Sequence, residues 1–188
     1  MLLTKGKEKE NEEMKKWICA MLALLCVLSL GACSKKEEKK EVSLSEIHQA
    51  VKDAYGEAYY IDMALDAATL DTMMGLKEDM YEEVIAEGPM ISAQVDMFIA
   101  VKAAEGKADD VEKVLNDYRD YQINDAFQYP ANMVKVQASE VVRHGDYVFF
   151  VLLGEIPFEA EEQGDDAILE AAKKGVKIGV DTINGFFE

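Results

Sequence analysis

The chain of 188 residues has few of the residues and motifs on which common enzyme chemistry depends. It contains three cysteines, Cys19, Cys26 and Cys33, and two histidines, His48 and His144. The Gly-x-Ser-x-Gly, His-Glu-x-x-His and Gly-x-x-x-x-Gly-Lys-Ser/Thr motifs are all absent. A serine hydrolase elbow, a zinc protease helix and a nucleotide-binding P-loop therefore have no support, and we predict no catalytic residue, cofactor or metal.

Basic residues are scarce. The chain has 20 lysines and arginines against 37 aspartates and glutamates. Residues 1–32 hold five basic and four acidic residues, so the remainder carries 15 against 33, a net charge of −18. Such a surface repels phosphate groups, which excludes nucleic acid as a partner. It also repels anionic lipid headgroups, so surface charge alone would not hold the protein at a membrane.

No apolar run is long enough for a comfortable bilayer span. The longest, residues 17–30, is broken only by Ser29, whereas a spanning helix needs roughly 20 residues. Lys15-Lys16 precede the run, which is the pattern of a secretory signal peptide. Its ending, Leu30-Gly31-Ala32-Cys33, resembles the lipobox of bacterial lipoproteins, in which cleavage before the cysteine follows acylation of its thiol.

The lipobox predicts cleavage between Ala32 and Cys33, and a diacylglyceryl group on the Cys33 sulfur with palmitate-type acyl chains. The alternative is an ordinary signal peptide with an incidental cysteine. Translation starts at Met1 or at Met14, which directly precedes Lys15-Lys16. We therefore predict a lipoprotein anchored on the extracytoplasmic face of the cell membrane. Beyond the signal peptide no cysteine other than Cys33 remains, so no internal disulfide can form.

The remaining chain divides by composition and periodicity. Residues 33–42 hold the lipidated cysteine and a charged tether, and residues 43–158 form the folded domain. Residues 159–188 are predicted to be an acidic, weakly helical tail, because Gly175, Gly179 and Gly185 interrupt the helical spacing that begins at residue 165. Helical patterns fall at 43–55, 66–76 and 108–127, and strand patterns at 80–86, 93–103, 134–143 and 147–156.

Local signals support these elements. Ser43 and Asp66 are suited to cap the first two helices, and Gly75 to end the second. The order α-α-β-β-α-β-β predicts an α+β domain, with an antiparallel sheet of about four strands and helices packed on one face. Residues 147–153 are apolar on both faces, which places that strand inside the sheet.

Two short motifs carry a family resemblance. Tyr129-Pro130 is expected to stop the third helix, and Gly145-x-Tyr147-Val148 to form a hairpin turn and the start of a strand. With the strands around them, over about residues 43–155, they resemble a family of small Gram-positive bacterial lipoproteins with a domain of unknown function. The resemblance implies the fold and the location, and brings no catalytic residue.

Candidate binding residues are four tyrosines near predicted element ends, Tyr59, Tyr60, Tyr121 and Tyr129. Exposed tyrosines there could stack on a sugar or a peptide, whereas packed rings would leave only the hydroxyls in water. Acidic clusters at 109–110, 159–162 and 165–166 lack the spacing of a calcium loop and are expected to be solvated.

These observations predict a protein-interaction module of the cell envelope, whose partners are the membrane, through Cys33, and another envelope protein. The alternative is a lipoprotein that binds a small ligand or a glycan. A wall hydrolase that uses two carboxylates is a third hypothesis, without a supporting motif.

Overall fold

A computed structural model describes residues 41–91 and 93–188, so the predicted signal peptide, Cys33 and residues 34–40 lie outside the described residues. None of the helices in this part combines the length and apolar character that a bilayer span requires. The helices are α1 (Leu44–Tyr55), α2 (Ala67–Met74), α3 (Ala108–Asn124), α4 (Pro130–Lys135), α5 (Phe158–Gln163) and α6 (Asp165–Asn184). The strands are β1 (Met63–Ala64), β2 (Tyr81–Gly88), β3 (Met97–Ala103), β4 (Glu140–His144) and β5 (Tyr147–Leu152).

The first two helices begin and end as predicted. The Ser43 hydroxyl accepts a hydrogen bond from the Glu46 amide, and the Asp66 carboxylate accepts one from the Thr69 amide at 2.8 Å. These bonds satisfy backbone donors that have no partner within the helix. Gly75 ends α2 in the left-handed conformation, at φ 80°.

The sheet is open and entirely antiparallel, in the order β1-β2-β3-β5-β4. The predicted α+β class is confirmed. The sheet has five strands because the two residues of β1 add to the four that were predicted. As expected from its apolar faces, β5 lies inside the sheet, where every one of its residues is buried.

The helices cover both faces of the sheet, whereas the prediction was one face. Phe149 and Phe150 are neighbours in β5 and point to opposite sides. The Phe150 ring contacts Tyr118 of α3, and the Phe149 ring contacts Phe187, just beyond α6. Helix α1 packs on the same face of the sheet as α6. The ring of His48 in α1 stacks on Phe98, which pairs with Val151. Val151 points to the same side as Phe149, because the two are separated by one residue in β5.

The segment around Tyr129-Pro130 differs from the prediction. Helix α3 ends at Asn124, and Pro130 begins a new helix, α4. Proline suits this first position because it has a helical φ and needs no hydrogen-bond acceptor. A 3-10 turn, Val136–Ala138, follows, so the predicted strand 134–143 is shortened to β4.

Most of the predicted weakly helical tail, 159–188, is the 20-residue helix α6, which packs against the rest of the described domain. Its glycines let the helix touch the sheet. A Cβ added to Gly175 would lie 2.9 Å from the Leu153 carbonyl oxygen and 3.1 Å from the Gly154 Cα. At Gly179 it would lie 2.9 Å from the Tyr55 hydroxyl. Packing against the sheet therefore outweighs the low helix propensity of glycine.

The sheet has two distinct ends. At the end where the chain enters, which we call the entry end, the Val42 amide donates to the Tyr147 hydroxyl and Glu41 pairs with Lys102. At the opposite end, the far end, β3 begins at Met97 beside Leu152. Seven residues of β3 separate these ends by about 20 Å.

We expect Gly175→Ala to lower the free energy of unfolding by about 1–3 kcal/mol, because the new methyl group meets backbone atoms that cannot move aside. Chemical denaturation measures the change. Gly185→Ala is the control, since its Cβ would lie 3.5 Å from the nearest atom and its φ is −58°. Equal stability of Gly175→Ala and the wild type would contradict the close contact.

Candidate functional site

The far end carries an exposed apolar surface. Phe127 is fully exposed, and the other members are 54–71% exposed: Met90 71%, Ile91 57%, Tyr129 62% and Met133 54%. The Asn132 side chain donates a hydrogen bond to the Ala93 carbonyl at 2.9 Å. This bond holds the β2–β3 loop beside α4, so the two apolar segments are neighbours. We call these five residues the apolar surface.

A buried ion pair fixes α4 at this end. The Lys135 Nζ donates to both carboxylate oxygens of Asp96, at 2.8 and 2.7 Å. Lys135 is 5% exposed and Asp96 3%. The Tyr60 hydroxyl donates a third hydrogen bond to Asp96 at 2.7 Å. The Asp96 carboxylate thus accepts three hydrogen bonds, which offset the cost of burying its charge.

The Tyr60 phenol is held in its neutral form. Burial raises the pKa of Tyr60, and the negative charges of Asp96 and Glu155 raise it further. The hydrogen bond to Asp96 acts in the same direction, because only the protonated phenol can donate it. Tyr60 therefore acts as a donor to Asp96 throughout the neutral pH range.

A second polar cluster lies between α1 and β2. The Tyr59 hydroxyl donates to Glu87 Oε2 at 2.7 Å, and His48 Nε2 lies 3.1 Å from the same oxygen. Lys52 lies 3.6 Å from Glu87 Oε1 and 5.1 Å from the centre of the Tyr59 ring. Burial raises the pKa of Tyr59, as does the hydrogen bond to Glu87. This network joins the helix to the strand.

A cleft of about 640 Å³ opens beside α6. It lies between the end of α1, the link from β5 to α5, and the helices α5 and α6. Seven of its 15 lining residues are alanine or glycine, and four are charged: Glu155, Glu159, Glu170 and Lys174.

The four predicted tyrosines differ in their hydrogen-bond partners and exposure. Tyr59 and Tyr60 direct their hydroxyls to Glu87 and to Asp96, two separate networks. Tyr129 belongs to the apolar surface, and Tyr121 is 52% exposed on α3. The predicted sites Ala32 and Cys33 lie outside the described residues.

The sequence predictions did not include Asp96 and Lys135. Asp96 and Lys135 each interrupt an apolar stretch, between Val95 and Met97 and between Val134 and Val136. Single charges in such stretches are a signal of a buried pair, although which charges pair depends on the fold.

The acidic clusters at 109–110, 159–162 and 165–166 are exposed to solvent or form ion pairs; Asp109, for example, contacts Arg143 at 2.6 Å. The described residues contain no group of three side chains suited to hold a metal ion.

We expect Lys135→Met to destabilise the protein by about 3–5 kcal/mol, because Asp96 would remain as a buried charge without its cation. The double variant Asp96→Asn with Lys135→Met should regain part of this loss. Thermal and urea unfolding measure both. The control, Lys177→Met, removes an exposed ion pair with Asp181 and should change stability by about 0.5 kcal/mol or less. A loss no larger for Lys135→Met than for this control would contradict the buried pair.

Comparison with known proteins identifies the family. No curated protein and no solved structure matches the chain. A family described as a domain of unknown function, DUF4358, matches residues 54–153, which are more than half of the chain. The match begins in the last turn of α1 and ends just after β5. It confirms the predicted relation to a domain of unknown function, and the chain belongs to the DUF4358 family.

Proposed function

We propose that this protein is a lipoprotein, anchored through Cys33 on the extracytoplasmic face of the cell membrane, that binds another envelope protein through its far end. The lipobox-like ending of the signal peptide supports the anchor. Two acyl chains on one cysteine supply enough apolar area for stable attachment, whereas a single chain binds marginally.

The apolar surface is the observation that carries the docking proposal. Its five residues expose more than half of their area each, on two segments that a hydrogen bond holds together. Large apolar side chains grouped on a soluble domain usually mark an interaction site. The loop and helix that carry them are fixed from beneath by Asp96 and Lys135, so little ordering is needed when a partner binds.

Its position favours a protein partner over lipid. The chain enters the domain at the opposite end of the sheet, about 20 Å away. A tether fixed at the entry end leaves the far end to face away from the anchor. The net charge of −18 outside residues 1–32 adds repulsion from anionic headgroups.

The tyrosine-lined glycan groove receives less support. Tyr59 and Tyr60 direct their hydroxyls into separate, partly buried networks, which disfavours one sugar-stacking platform built from all four tyrosines. The small-ligand alternative is supported by the cleft, which offers a site distinct from the apolar surface.

The anchor is tested by Cys33→Ser. We expect the variant to remain unacylated and to leave the membrane fraction, whereas Ser34→Ala, next to it, should stay membrane-bound and acylated. Fractionation of cells and mass spectrometry of the purified chain give the answer. Membrane retention of unacylated Cys33→Ser would contradict a lipid anchor at this position.

The docking surface is tested by photo-crosslinking in cells. A photoreactive amino acid at position 127 should give a discrete protein adduct, and the same group at position 73 should give none. Met73 is the matched control because it is 37% exposed and lies on α2, outside the apolar surface.

A second set of variants ties the adduct to the surface. Met90→Ser with Met133→Ser should reduce the adduct from position 127 by about tenfold while stability changes by about 0.5 kcal/mol or less, since both side chains are exposed. Met73→Ser should leave it unchanged. Adducts to lipid alone, or equal protein adducts from positions 73 and 127, would contradict a protein partner at the far end.

A further inference from the structure

The cleft beside α6 has the size of a ligand site. Its volume of about 640 Å³ falls within the range of roughly 300–1,000 Å³ that is common for small-molecule sites. No large side chain fills it, because seven of the residues along its walls are alanine or glycine: Ala54, Ala58, Gly154, Ala160, Ala167, Ala171 and Gly175.

The floor of the cleft is rigid. The Tyr55 hydroxyl donates to the Gly175 carbonyl at 2.7 Å and accepts from the Gly179 amide at 3.0 Å. These bonds tie α1 to α6 and keep the Tyr55 ring, which is 8% exposed, from turning into the cleft. The direct contact between Gly175 and Gly154 fixes α6 against the end of β5. The cleft is thus formed before any ligand binds.

The charges along the cleft are predominantly negative. Glu155, Glu159 and Glu170 face it, against the single cation Lys174. Glu155 and Glu159 make no ion pair with any described residue, and Glu170 makes only an exposed contact with Lys173 at 3.5 Å. The carboxylates therefore leave an uncompensated negative potential over an apolar floor.

We propose that this cleft binds a small organic cation, an amine carried on a compact apolar body. The apolar part would cover the alanines and glycines, and the ammonium group would lie near Glu155 and Glu159 at the rim. A small anion would be repelled by the same carboxylates. A bare metal ion would find no group of three ligating side chains in the described part of the chain. This site is separate from the apolar surface, so it adds a ligand to the proposed docking function and does not depend on it.

The test is isothermal titration of the full chain, purified from membranes in a neutral detergent, with tryptamine. Tryptophol, which replaces the amine with a neutral hydroxyl, and magnesium, which has the charge without the apolar body, are the paired probes. We expect saturable binding of tryptamine at one site, at least tenfold weaker binding of tryptophol, and no saturable binding of magnesium. Equal binding of tryptamine and tryptophol, or no saturation by tryptamine at millimolar concentration, would overturn the proposal.

Two pairs of charge variants test whether tryptamine binds in the cleft. Glu155→Gln with Glu159→Gln should weaken tryptamine binding about tenfold. The charge-matched control, Glu105→Gln with Glu140→Gln, alters two exposed carboxylates outside the cleft and should leave binding unchanged. Equal weakening by both pairs would show a diffuse charge effect and overturn the site.

A charge-neutral variant separates shape from electrostatics. Ala171→Leu fills the cleft without changing charge and should abolish binding, whereas Ala171→Ser keeps the space and should bind as the wild type does. The melting temperature of each variant shows whether it is folded. If Ala171→Leu is unfolded, Ala167→Met serves the same purpose from the preceding turn of α6. Undiminished binding by a folded, filled variant would place the ligand elsewhere and overturn the proposal.

Discussion

The contact between the backbones of Gly175 and Gly154 is the constraint on which most of this structure depends. Helix α6 can lie on the end of β5 only because neither residue has a side chain, and Gly154 also adopts φ 117°, which favours glycine. This approach brings the Gly175 carbonyl and the Gly179 amide to the Tyr55 hydroxyl, which ties α6 to α1. One close contact thus completes the helical layer on this face and shapes the cleft beside it.

The far end is held by a buried ion pair and not by a close backbone contact. There the chain from α3 to β4 is fixed by the Asp96–Lys135 pair, whose stabilisation depends on complete hydrogen bonding more than on charge attraction alone. Tyr60 supplies the remaining donor. Because polar groups underneath hold α4 and the β2–β3 loop, the exposed side chains above them contribute little to stability. Their exposure therefore supports the proposed docking of a partner.

The apolar surface and the cleft both lie in the negative electrostatic field of the domain. A net charge of −18 outside residues 1–32 repels anionic partners over the whole domain, and it concentrates small cations around it. At the apolar surface, that field favours a partner with neutral or basic groups around an apolar centre. In the cleft, the same field adds to the charges of Glu155 and Glu159, which favours the proposed organic cation. The proposed anchor, docking surface and ligand site are therefore compatible with one acidic domain.

Local chemistry in the sequence was sufficient to predict the early helices, the hairpin and the class of fold. Ser43 and Asp66 cap helices through nearby backbone groups, and Gly145 turns a hairpin at φ 63°, so these features depend on short stretches of chain. The lipid anchor at Cys33 is also predicted from consecutive residues, and it stays a prediction. Contacts between residues distant in sequence determined the last helix and the far end. The glycines that lower the helix propensity of α6 form its contact with the sheet. Asp96 pairs with Lys135, which lies 39 residues away in the sequence. Propensity and periodicity describe neighbours along the chain, whereas a buried pair or a close backbone contact exists only when tertiary packing brings its two halves together.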